Sequence, residues 1–172
     1  MSLVLRELTE TDEQAFRDGL TEWAGEDPHW YSFTWKDGMT FPEMLEILEK
    51  EAAGIDLAQG RVPHSMLYGF IDGKIIGRVS IRHTLNDYLR RRGGHIGYAV
   101  AKQYRKKGFA TEMVRQALEF CKKLGIDSVM VTCGDENTPS WKIVEYFGGK
   151  LQDRVWDDED NEMIRRYWIA PP

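Results

Sequence analysis

The run Arg105-Lys106-Lys107-Gly108-Phe109-Ala110-Thr111 sets three cationic side chains ahead of a turn of small residues, a pattern suited to a pyrophosphate. It stands between a segment with strand character, residues 95–100, and one with strong helical periodicity. The first backbone amides of a helix have no internal acceptor and sit at the positive end of its dipole, so a turn there can wrap anionic oxygens. Gly108 and Ala110 let a ligand approach the main chain, while Arg105, Lys106 and Lys107 add charge. The P-loop spacing Gly-x-x-x-x-Gly-Lys-Ser/Thr is absent, as is the dinucleotide fingerprint Gly-x-Gly-x-x-Gly. The plain alternative is a solvated charge run.

The elements that must position this turn follow from periodicity. Ala110, Met113, Val114, Ala117, Leu118, Cys121 and Leu124 recur at helical spacing, with Thr111, Glu112, Arg115, Glu119 and Lys122 opposite, and Gly125 closes the helix that starts at Gly108. Asp72-Gly73 between residues 66–71 and 74–82 predicts a hairpin, because both turn positions need positive φ. Residues 128–133 form a nearly continuous apolar run, the pattern of a strand covered on both faces in mid-sheet. A strand over 3–7 precedes a helix capped at Thr9 or Thr11 and running to about Trp23. A second helix spans 41–53, with Thr40 as cap and Pro42 in its first turn. Residues 25–38 are an aromatic, turn-rich ordered loop, and residues 86–93 a polar, Arg-rich one. A helix after Pro139 stops at Gly148-Gly149, and strands over 150–155 and 163–169 flank an acidic turn at 157–161. There is no internal repeat or linker. The order implies an α/β sandwich around a mixed sheet, with residues 1–172 as one domain.

Composition sets the boundaries. At 172 residues, 42% hydrophobic and 30% charged, the chain is long enough to bury one core. Its net charge of −5 disfavours nucleic acid, whose phosphates call for a broad basic surface. No stretch approaches the ~18 apolar residues of a membrane span, and the first residues lack the features of a secretory leader, so the expected location is the cytoplasm. Cys121 and Cys133 lack metal-site spacing and read as reduced core residues, and no metal is expected.

Arg105-x-x-Gly108-x-Ala110 resembles the Arg/Gln-x-x-Gly-x-Gly/Ala signature of the GNAT superfamily of N-acetyltransferases. Ile96-Gly97-Tyr98-x-Val100 resembles that family's central strand, and Asn137-x-x-Ser140 before Gly148 its second cofactor segment. The match is good over residues 93–153, while the first third agrees only in its order of elements. Within the superfamily the chain is similar to a group of predicted bacterial acetyltransferases with Ile-Arg-His-x-Leu-Asn (residues 81–86) and Gly-Gly-His-Ile-Gly-Tyr (residues 93–98).

The resemblance implies a mixed, mostly antiparallel twisted sheet with helices on both faces, acetyl-CoA as cosubstrate, an amine acceptor that is a small molecule or a peptide, and room for a homodimer. It implies that amides from Arg105 to Thr111 hold the pyrophosphate. The backbone of Tyr98 and Val100 holds pantetheine, and Asn137 and Ser140 contact it; for those two, local helix capping is the competing role. A backbone amide in the region of Tyr98 to Val100 stabilises the oxyanion. His95 stands close to the family's catalytic carboxylate position and is the candidate general base. His83 is its runner-up or orienter, and a structural role for both histidines stands beside this. Trp30, Tyr31 and Phe33 are candidates for an acceptor wall, with core packing as the alternative, and Arg82 and Asn86 join them. The acidic chain is compatible with a cationic acceptor such as a polyamine, an aminoglycoside or a lysine side chain. One departure stands out: Val144 occupies the place of the family's usual tyrosine acid, and helical spacing turns Tyr146 elsewhere. The rival to an enzyme is therefore an acyl-CoA-binding regulatory or interaction module without turnover.

Overall fold

The computed structural model describes residues 2–23 and 25–172. Strands β1 (Val4–Arg6), β2 (His64–Ile71), β3 (Lys74–Arg82) and β4 (Ile96–Val100) form an antiparallel sheet in that order. Strands β5 (Val129–Gly134), β7 (Glu162–Ile169) and β6 (Lys150–Asp157) form a second, with β7 in the middle. The helices are α1 (Glu13–Glu22), α2 (Phe41–Ala53), α3 (Asp87–Arg91), α4 (Phe109–Lys123) and α5 (Thr138–Tyr146).

Local chemistry accounts for most of these limits. Asp72 and Gly73 take φ of 48° and 77°, the left-handed pair that a tight hairpin between right-twisted strands needs. At the start of α2 the Glu43 amide donates to Thr40 Oγ1 at 3.3 Å and the Thr40 amide donates to the Glu43 carboxylate at 2.7 Å, a complete capping box. Helix α4 buries Met113, Val114, Ala117, Leu118 and Cys121 in a cluster with Leu67, Val79, Ile81, Val131 and Tyr167. That cluster draws on both sheets and joins them. On the other face of the first sheet, Phe16, Trp23, Tyr31, Phe41, Met44, Tyr68 and Phe70 form a second cluster under α1 and α2. Helices thus cover both faces of an α/β structure of mostly antiparallel strands, as the sequence implies.

Two expectations are corrected. Residues 87–91 are helical, because Asn86 Oδ1 accepts from the Leu89 amide at 2.9 Å and Leu89 buries its side chain; one apolar anchor among arginines leaves no period to read. β5 is not in mid-sheet, since it pairs with β7 alone. Its apolar run reflects burial beneath α4 and against β4, without a ladder on that side.

Candidate active site

β4 and β5 touch at one end and then separate. At the junction the His95 amide donates to the Met130 carbonyl at 2.8 Å, and the Met130 amide donates to His95 Nδ1 at 2.9 Å. Beyond it no backbone hydrogen bond joins the two strands among the described residues. The Arg82 amide reaches the His95 carbonyl and the Ala101 amide reaches the Ile76 carbonyl, so alternate residues of β4 spend their backbone groups on β3. Ile96, Tyr98 and Val100 therefore turn theirs toward the opening. The edge facing β5 is an unpaired strand edge, and an extended amide-bearing chain could pair with it. The Val100 carbonyl is already taken by Arg105 Nε at 2.8 Å. The Tyr98 side chain reaches α5, its hydroxyl 2.8 Å from Ser140 Oγ, and burial pushes the phenol up to about 12.

Directly after β4 the chain makes the turn that carries the basic run. Lys106 (φ 61°) and Gly108 (φ 82°) are left-handed, and α4 starts at Phe109. The amides of Lys106 to Thr111 meet no acceptor among the described residues, and a Cβ on Gly108 would have no atom within 4 Å. Open space thus lies before a set of free donors at a helix start. Not all of the expected charge serves it, because the Arg105 guanidinium bonds the Val100 carbonyl and pairs with Glu26 at 2.6 Å. The role of Arg105 is to brace the turn, which leaves Lys106 and Lys107 as its exposed cations. Asn137 Oδ1 accepts from the Ser140 amide at 3.3 Å, so Asn137 caps α5 and only its Nδ2 remains to meet a ligand.

The histidines do not form the expected pair. His95 is 6% exposed and its Nδ1 lone pair is committed to Met130. In the neutral ring the proton then sits on Nε2, and no lone pair remains to accept another. Burial, helped by the charges of Arg90 and Arg82, pulls the imidazole down to about 4. His95 is a clasp between β4 and β5, which corrects the general-base reading. His83 Nε2 meets Ser65 Oγ of β2 at 2.9 Å, so its ring turns away from β4 and cannot orient His95. A pH prediction follows. The ordinary histidine value is 6.5, so between pH 6.5 and 4 the unfolded chain binds a proton that folded His95 refuses. This part of the stability is complete above pH 6.5 and is lost as the pH falls toward 4. Thermal melts against pH should show that loss in the wild type and its absence in His95→Gln, while the acidic limb of a rate profile persists in the variant.

The acceptor candidates separate in the same way. Tyr31 is fully buried, donates to the Phe16 carbonyl at 2.9 Å and packs among Phe16, Trp23 and Tyr68. It belongs to the core because its ring fills the space over Gly19, not because it faces a ligand. Tyr31→Ala should cost about 3 to 5 kcal/mol of stability, read by denaturant melts, with acceptor KM unchanged. Asn86 caps α3 and ties it to the Gly60 carbonyl through Nδ2 at 2.9 Å, so it too is structural. Phe33 and Arg82 line a cavity of about 350 Å³ between the 25–38 loop, α3 and the end of β3. Trp30 is 53% exposed and its carbonyl accepts from Arg78. Tyr146 is 76% exposed, and Val144 is fully buried.

A strand that splits from its neighbour is thus followed by a turn of free amides that opens a helix. The chain belongs to the GNAT acetyltransferase family: the family model described as an acetyltransferase (GNAT) domain matches residues 2–150. Solved structures of the same fold include an acetyltransferase of the GNAT family from Streptococcus pneumoniae (TM-score 0.64, 17% identity, 99% of this chain and 100% of that one). Others are mutant forms of the spermidine/spermine N-acetyltransferase of Vibrio cholerae (0.63, 18%, 99% and 95%) and the ribosomal-protein-S5-alanine acetyltransferase of Vibrio fischeri (0.68, 14%, 99% and 94%). The protein is accordingly a GNAT-type N-acetyltransferase, and none of its described helices is long and apolar enough to cross a membrane.

Proposed function

We propose that this chain, acting as a single domain, moves an acetyl group from acetyl-CoA to a primary amine by direct attack on the thioester. The observation that carries this is the set of acceptor-free amides from Lys106 to Thr111 at the end of a strand whose outer edge is unpaired. The amides and the side chains of Lys106 and Lys107 suit the pyrophosphate; the free backbone groups of Tyr98 and the Val100 amide suit pantetheine, which Ser140, beside the Tyr98 hydroxyl, and Asn137 Nδ2 would contact. The amine nitrogen forms a bond to the carbonyl carbon as the C–S bond breaks. The attacking nitrogen gives up its proton and the thiolate takes one, which leaves an N-acetyl amine and free CoA.

Val144 favours the rival of a binding module without turnover, because it offers no proton. Tyr98 weakens that argument. Its phenol lies beside Ser140 Oγ at the opening and stays neutral at working pH, so it can donate to a departing sulfur. For the amine, His29 lines the cavity with neither ring nitrogen hydrogen-bonded among the described residues, whereas His64 has both engaged, with Val62 and Glu51. His29 is thus the side chain free to take the proton. A thermal-shift comparison of acetyl-CoA with ATP and NAD tests the cofactor: a ligand at about 100 times its Kd adds about 2.7 kcal/mol, roughly 5 to 10 °C for a domain of this size. A shift with ATP or NAD and none with acetyl-CoA would contradict the reading.

A further inference from the structure

Val79 and Ile81 of β3 pack toward α4, so Arg78, Ser80 and Arg82 lie on the opposite face at alternate positions. Arg78 is 1% exposed, donates to the Trp30 carbonyl and lies with its guanidinium carbon 4.3 Å from the centre of the Phe33 ring. Arg82 donates to the Gly93 carbonyl at 3.3 Å. Neither makes an ion pair among the described residues, and burial draws both down from the ordinary arginine value to about 10. Arg61, whose charge acts on Arg82 and also on Glu51, has no ion pair among them. The cavity of about 350 Å³ over this row is lined by Arg61, Arg82, His64, Ser80, Tyr88 and Phe33 among others, and no Asp or Glu lines it. Glu51, beside His64, is held by His64 Nε2 at 3.1 Å and Thr34 Oγ1 at 3.2 Å.

A guanidinium taken out of water without an anion is costly, and a fold normally supplies a carboxylate. Here Arg82, with no ion-pair partner among the described residues, faces a space. The planar fork of arginine matches a carboxylate through two parallel hydrogen bonds. The space also lies at the end of β4 away from the basic turn. Arg82 Nη1 is 3.1 Å from where a Cβ on Gly97 would be, and Gly97 stands between Ile96 and Tyr98, whose backbones face the opening. The phosphate turn follows Val100 at the other end of β4, about 13 Å along a strand that rises ~3.3 Å per residue. An acyl arm laid along β4 from that turn therefore delivers its thioester toward Arg82. The volume is at the lower end for small-molecule sites, which suits a free amino acid better than a peptide.

We propose that the acceptor is an amino carboxylate of amino-acid size, with its carboxylate on Arg82 and Arg61 and its amine toward the thioester. This rests on the acetyl-transfer reading and deepens it. It takes the place of the polyamine, aminoglycoside or lysine acceptor that net charge suggests, because Arg61 and Arg82 line the cavity although the chain is acidic.

The test is CoA release from acetyl-CoA with the proteinogenic amino acids, their α-carboxamides and spermidine as acceptors. At least one amino acid should exceed its carboxamide by about 10- to 150-fold in kcat/KM, the range of a charge-assisted hydrogen bond. Arg82→Gln should erase that preference. Arg61→Met, at an exposed position, should raise KM for the amino acid about 10-fold and that for the carboxamide by clearly less. Carboxamides or spermidine matching or exceeding every amino acid would overturn the proposal while leaving acetyl transfer intact. If no amine turns over but acetyl-CoA binds, the N-acetyl amino acids and N-acetyl carboxamides are compared by thermal shift on the CoA complex. Stabilisation by the acids alone supports the proposal, and equal or absent shifts overturn it. Failure of acetyl-CoA to bind would overturn the transfer reading, and this proposal with it.

Discussion

Gly108→Asp is expected to abolish acetyl-CoA binding, with Kd raised by about 10²- to 10³-fold, because like charges brought together at an interface cost several kcal/mol. Gly108 is left-handed, and a side chain there would meet no protein atom within 4 Å. The new carboxylate would therefore stand in the space before the free amides of Lys106 to Thr111, where a pyrophosphate belongs. Asp and Asn tolerate the left-handed conformation better than most residues, so the fold should survive. Gly108→Asn separates charge from shape, since it has almost the same size and backbone preference without the charge. Titration of both variants with acetyl-CoA should show loss in Asp and measurable binding in Asn. Equal loss in both would assign the effect to bulk, and wild-type affinity in the folded Asp variant would remove this turn from the cofactor site.

Tyr98→Phe is expected to lower kcat by about 10²-fold or more, the lower range of general acid catalysis, with little change in the affinity for acetyl-CoA. The phenol, neutral at working pH as any tyrosine is, sits 2.8 Å from Ser140 Oγ. Val144, at the place of the family's usual tyrosine, cannot give a proton. Phenylalanine keeps the ring that packs on the core beneath β4 and removes only the hydroxyl. A thioester with a better leaving group supplies the control: if the hydroxyl assists the departing sulfur, the deficit should shrink as the thiol becomes more acidic. A constant deficit across thiols, or a wild-type rate in the variant, would take Tyr98 out of the chemistry.

The parts legible in the sequence are those whose causes are local. Asp72-Gly73 names its hairpin because two consecutive left-handed residues suit one turn, and Thr40 with Glu43 names the start of α2 because both halves of a capping box lie within four positions. The turn before α4 could be placed for the same reason, since Gly108 and the helical period that follows it are neighbours along the chain. What was not legible depends on distant partners. The commitment of His95 to Met130 joins residues 35 positions apart, so nothing near His95 reveals that its lone pair is spent. Arg105 looked like a phosphate ligand until Glu26, 79 positions away, claimed its guanidinium. Tyr31 shares its segment with Phe33, and only the packing of α1 against that loop decides that one ring is core and the other lines the cavity. Arg78 and Arg82 are visible as letters, but that neither has an ion-pair partner among the described residues can be read only once neighbours in space are known.

The most direct measurement of the central claim is a screen of primary amines with acetyl-CoA, in which free CoA and the N-acetylated amine are quantified in the same reaction by mass spectrometry. The account predicts at least one amine for which the two products appear in equal amounts, at a rate that Gly108→Asp abolishes. Release of CoA that is the same with and without amine, and that yields only acetate, would contradict it.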